Sequence, residues 1–126
     1  MVKKVITVPG APKLPFSPAI RAGDYIFVSG QVGFVDDQGK EVKGIEAQLR
    51  QCFENIKRVL VAAGASLGDV VKVTVFLRNQ GDFAKMNEVY QGYFPEDKPA
   101  RSTVVANLAL PDMLVEMECI AYLPES

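Results

Sequence analysis

The apolar residues recur along the chain at two different spacings. Val5 to Val8 is a short strand-like run, closed by the proline-rich PGAPKLP, which is too irregular for a helix or an inner strand. The runs SPAIRAG and DYIFVSG follow, split by Gly23 and Asp24, and predict a hairpin ending in Ser29-Gly30-Gln31. In the second run Tyr25 and Phe27 fall on one face and Ile26 and Val28 on the other, so both faces need cover. Beyond the turn-rich DDQGKEVKG, the spacing of Ile45, Leu49, Cys52, Ile56, Val59 and Ala63 predicts an amphipathic helix that stops at Gly64. Glu46, Gln48, Arg50, Glu54, Lys57 and Arg58 fill its polar side.

Val70 to Leu77 reads as a central strand, with Val71, Val73, Val75 and Leu77 alternating against Val70, Lys72, Thr74 and Phe76. Phe83, Met86, Val89, Tyr90, Tyr93 and Phe94 mark a second amphipathic helix, closed by Pro95. Ser102 to Ala106 and Leu114 to Leu123 predict two last strands. The order of strands and helices predicts one α+β domain over residues 1–126, with both helices on one face of a mixed sheet. The opposite face would keep Val70, Thr74 and Phe76, with one of the pairs Tyr25/Phe27 or Ile26/Val28, too apolar for solvent. Such a face predicts self-association in a closed symmetric oligomer.

Charge and composition narrow the chemistry. With 14 basic and 15 acidic residues and no basic run, the chain lacks the positive cluster of a nucleic-acid binder. No apolar stretch approaches the ~20 residues of a membrane span or a signal-peptide core, so a soluble cytoplasmic protein without membrane partners is expected. Cys52 and Cys119 each sit in an apolar pattern and read as buried free thiols. There is no histidine, which excludes Ser-His-Asp and Cys-His catalysis and leaves no plausible zinc site.

The last strands carry charges where burial is expected. In the final one, Val115, Met117, Cys119 and Ala121 suit the helix side, and Glu116 and Glu118 point the other way between Leu114 and Ile120. Two readings stand open for Arg101 at the start of the preceding strand. It forms a structural salt bridge with Glu116 or Glu118, at the sheet end or a subunit interface. Alternatively it holds a substrate carboxylate in a two-pronged hydrogen bond while a glutamate handles water or a proton.

The ordered set SGQ at Ser29 to Gln31, QLRQCFENIKRVLVAAGAS, GDVVKVTVFL, DFAKMNEVY, PARSTV and VEMECIA resembles the RidA-type enamine/imine deaminases. These are also called YjgF-like proteins or L-PSP endoribonucleases, and the match runs from about Pro15 to Tyr122. The resemblance implies a chorismate-mutase-like α+β fold and a homotrimer whose sheets form a central barrel with the helices outside. It places ligand sites between neighbouring subunits. It implies that Arg101 binds the substrate carboxylate and that Glu116, first of the E-x-E pair, activates water, while Glu118 is structural. Ser29 and Gly30 would line the pocket, Thr103 would offer backbone groups, and Asn87 would support it. Phe16 and Thr103 depart from the family pattern, where Tyr and Cys are frequent, and the loss of the phenol at Phe16 removes a donor and acceptor near the ligand. The segment between Phe94 and Arg101 is also short for the family.

The implied reaction is metal-free and cofactor-free hydrolysis of a short 2-imino or 2-enamino acid to a 2-oxo acid and ammonia. A protonated imine carbon is electrophilic enough to need neither a metal-bound hydroxide nor a histidine-activated nucleophile. Three alternatives accompany it. One is a non-catalytic trimer that binds 2-oxo acids, motivated by Phe16. Another is a deaminase of a different enamine, such as an aminomuconate-like compound. The third, an endoribonuclease, is poorly served by a pI near 5.4 and the absence of histidine.

Overall fold

Strands must find hydrogen-bonding neighbours and an amphipathic helix must bury its stripe. Here one sheet and two helices meet both needs. The computed structural model describes residues 3–125. In chain order the elements are β1 (Lys4–Ile6), β2 (Ala19–Ala22), β3 (Tyr25–Val32), α1 (Ile45–Ala62), β4 (Val70–Leu77), α2 (Phe83–Tyr90), β5 (Ala100–Val105) and β6 (Val115–Tyr122). The strands form a six-stranded sheet in the order β1-β2-β3-β6-β4-β5. Neighbours are antiparallel except β4 and β5, a parallel pair joined through α2, so the sheet is mixed and β5 is an edge.

α1 packs across β3 and β6, and α2 lies beside α1 on the same face. Leu49, Cys52, Phe53, Ile56 and Leu60 of α1 join Val73, Val75 and Leu77 of β4 and Val115 and Met117 of β6 in one core. Phe53 stacks on Tyr93 with ring centroids 3.9 Å apart and packs edge-on to Phe94, which fastens the turn after α2 to α1. Among the described residues no helix covers the other face. Tyr25, Phe27, Val104 and Tyr122 lie on it, each between 42% and 45% exposed.

The structure departs from the sequence pattern in three places. Val70 is buried and Val71 is exposed, the reverse of the expected alternation. Val70 pairs with Ala121 and Lys72 with Ile120, so Val71 is the extra residue of a bulge, and the expected alternation holds only from Lys72 onward. The second helix is α-helical only to Tyr90; a 3-10 turn over Gln91–Tyr93 carries the chain to Phe94. Gln48, expected on the polar side of α1, is 2% exposed. Its amide donates to Val42 O at 3.0 Å and Asp112 O at 2.9 Å and accepts from Leu114 N at 2.9 Å. It thereby joins α1 to the loop before it and to the segment that enters β6.

Gln48→Ala leaves three backbone groups, at partly buried positions around a buried side chain, without these partners. At about 1–3 kcal/mol for each buried group left unpaired, the variant should melt roughly 10 °C below wild type, measured by differential scanning calorimetry. Glu46→Ala, which loses only an exposed ion pair with Arg50, should shift the midpoint by no more than about 2 °C.

Candidate active site

Arg101 stands on β5 opposite Val73 and Thr103 stands opposite Val75, so both share the helix side of the sheet with those core valines. α2 lies against them. Phe83, Asn87 and Tyr90 are spaced as one stripe of that helix. The Arg101 guanidinium carbon is 4.7 Å from the centroid of the Tyr90 ring and 5.9 Å from that of Phe83. Its Nη1 lies 3.7 Å from Met86 Sδ. Among the described residues it makes no salt bridge.

Glu116 occupies the other side. It pairs with Phe76 of β4 and Val32 of β3, while its chain neighbours Val115 and Met117 are fully buried among the core residues. A register shift between Val28 and Gln31 bulges β3 at Ser29 and Gly30. A methyl group built on Gly30 would collide with Glu116 Oε2, so the carboxylate lies directly over this glycine. Ser29 donates its hydroxyl to Ser17 O at 2.5 Å and its N–H to Pro18 O at 3.0 Å. These bonds tie the Phe16 segment to β3. Phe16 is 53% exposed and lines a cavity of about 180 Å³ with Leu14, Pro18 and Val59.

Burial, and secondly the negative charge of Glu118, raise the Glu116 carboxyl above the usual glutamate range. Both cysteines are buried free thiols, as their pattern predicts. Burial first, then Glu118, pushes the Cys119 thiol up to about 12; burial and Glu116 raise that of Cys52 as well. Neither is a nucleophile at neutral pH. Among the described residues no three His, Cys, Asp or Glu side chains cluster as a metal site, and no helix is long and apolar enough to cross a membrane.

One chain therefore brings Arg101, Thr103 and Asn87 to one place and Gly30 and Glu116 to another, with Ser29 holding the segment of Phe16. It does not bring the two groups together. The salt bridge from Arg101 to Glu116 or Glu118 is not formed within the chain, because the strand registers put the guanidinium and the carboxylates on opposite faces. Tyr90 and Phe83, read from sequence only as members of an apolar stripe, are the aromatic rings beside the Arg101 charge, with Met86 between them in sequence. Their signal was present in their spacing around Asn87.

A family model described as endoribonuclease L-PSP matches residues 8–123. A RutC family protein of Pyrococcus abyssi is 53% identical over 125 residues, covering 97% of this chain and 98% of that protein. The 2-iminobutanoate/2-iminopropanoate deaminase of Dermatophagoides farinae is 38% identical over 124 residues, covering 96% of this chain and 97% of that one. The crystal structure of the YjgF gene product of E. coli aligns with a TM-score of 0.86 at 35% identity, covering 94% of this chain and 98% of that one.

A raised carboxyl pKa means the folded protein holds the Glu116 proton more tightly than the unfolded chain does. Folding is then favoured below the ordinary glutamate pKa and loses that contribution as pH rises through the higher folded value. Glu116→Gln should therefore raise the melting temperature at pH 7, and the gain should vanish when melts are repeated below the ordinary glutamate pKa. A lower melting temperature for the glutamine variant at pH 7 would show the charged carboxylate to be stabilising.

Proposed function

The chain belongs to the endoribonuclease L-PSP family, whose relatives include the RidA-type reactive-intermediate deaminases, and on that premise we propose that it hydrolyses short 2-imino and 2-enamino acids to 2-oxo acids and ammonia. Support comes from two complementary half-sites on one chain: a guanidinium with no carboxylate partner among the described residues, and a half-buried carboxylate packed over a glycine. In the proposed homotrimer the uncovered sheet faces close a central barrel. Arg101, Thr103 and Asn87 of one protomer then meet Glu116, Gly30, Ser29 and Phe16 of the next.

In this cleft Arg101 takes the substrate carboxylate through its paired N–H groups. Glu116 accepts a proton from water as the water oxygen bonds to the iminium carbon. It returns that proton to nitrogen, the C–N bond breaks, ammonia leaves, and loss of the hydroxyl proton completes the 2-oxo acid. An enamine enters the same route after protonation at carbon. We place the reaction in the cytoplasm, where two reduced, buried thiols are at home. Phe16, where a phenol is frequent in the family, favours a second reading: a trimer that binds 2-oxo acids without turnover.

Coupled to a threonine dehydratase under semicarbazide competition, wild type should accelerate 2-oxobutanoate formation. Arg101→Ala should lower kcat/KM by about two orders of magnitude. Light scattering on the eluting protein should give a mass near three times 13.8 kDa. Saturable 2-oxo-acid binding with no acceleration would favour the second reading, and a monomer at micromolar concentration would contradict the shared cleft.

A further inference from the structure

Arg101 carries a charge on an edge strand, yet its near neighbours are two rings and a thioether, with no carboxylate among the described residues. The difference matters chemically. A carboxylate from the chain would occupy the planar fork of N–H groups and compete with any ligand for it. An aromatic face attracts the cation electrostatically while taking none of those hydrogen bonds. Tyr90 is a fixed platform: it is 7% exposed and packs against Phe53 and Phe94 with ring centroids 5.7 and 5.2 Å away. Phe83 is the outer ring, 43% exposed.

The tyrosine hydroxyl supplies a second observation. Its Oη is buried with no hydrogen-bond partner among the described residues. Burial pushes the phenol up to about 12, against the pull of the Arg101 charge, so it stays protonated. A buried hydroxyl without a partner weakens a fold, so the useful part of this side chain is the face of its ring.

We propose that Tyr90, assisted by Phe83, is a positioning residue that presents Arg101 to the carboxylate of the ligand. The function proposed above supplies the ligand; the seating of Arg101 is independent of it.

Two measurements test this on the intact protein. In the ligand-free state the ring current of Tyr90 should displace the Arg101 side-chain N–H resonances; Tyr90→Phe should keep the displacement and Tyr90→Leu should abolish it. With 2-oxobutanoate in calorimetry and the coupled deaminase assay, Tyr90→Leu and Phe83→Leu should raise Kd and KM by roughly 3- to 30-fold, with kcat within about 2-fold of wild type. Tyr90→Phe should leave Kd and KM unchanged and melt no lower than wild type. Phe83→Leu, at an exposed position, guards against a folding defect in Tyr90→Leu. Unchanged Kd and KM in both leucine variants, while Arg101→Ala abolishes binding, would overturn the proposal. So would a loss in Tyr90→Phe equal to that in Tyr90→Leu, which would assign the role to the hydroxyl. Wild type that neither binds 2-oxobutanoate nor hydrolyses imines contradicts the proposed function instead, and the resonance comparison still decides how Arg101 is seated.

Discussion

Successive side chains of a strand leave opposite sides of the sheet, and this rule separates Arg101 from Glu116. β4 is the common reference. Val73 faces the core and pairs with Arg101, whereas Phe76, three residues on, faces away and pairs with Glu116. No rotamer carries a guanidinium through a sheet packed with Val75, Leu77, Val115 and Met117. A site that uses both groups must therefore borrow one of them from another copy, and the uncovered face with Tyr25, Phe27, Val104 and Tyr122 offers the surface to do so.

Each of the two proposed half-sites is held by groups outside it. The segment between β5 and β6 is gripped from two sides before it delivers Glu116. Gln48 of α1 binds Asp112 and Leu114, and Arg78, just past β4, donates to Met113 O and Leu110 O at 2.7 Å each. Gly33 lets this corner close, since a methyl group there would strike the Gln48 carbonyl. On the other side, the cluster of Phe53, Tyr90, Tyr93 and Phe94 sets the position of α2, and α2 sets the surroundings of Arg101.

Much of this was legible in the residues themselves. The alternation Val115, Met117, Cys119, Ala121 against Glu116 and Glu118 correctly assigned both faces of β6, because one buried row in a straight strand fixes the other row. The stripe of α1 was equally plain, with one lapse: Gln48 sits at a core position, three residues after Ile45 and four before Cys52. Its polarity hid the fact that backbone groups of distant segments arrive there to satisfy it. The face of Arg101 was not legible, since a parallel register is set by a crossover and not by local pattern. Val71 escaped for a related reason: a bulge inserts a residue that valine-rich alternation does not announce.

Mixing two inactive proteins tests the shared cleft most directly. Arg101→Ala and Glu116→Gln protomers, each inactive alone, are unfolded together in equal amounts and refolded. Random trimers should then regain about a quarter of wild-type deaminase activity, because one in four interfaces pairs an intact arginine with an intact glutamate. A mixture no more active than its separate components would show that no interface joins Arg101 of one protomer to Glu116 of the next and contradict the account.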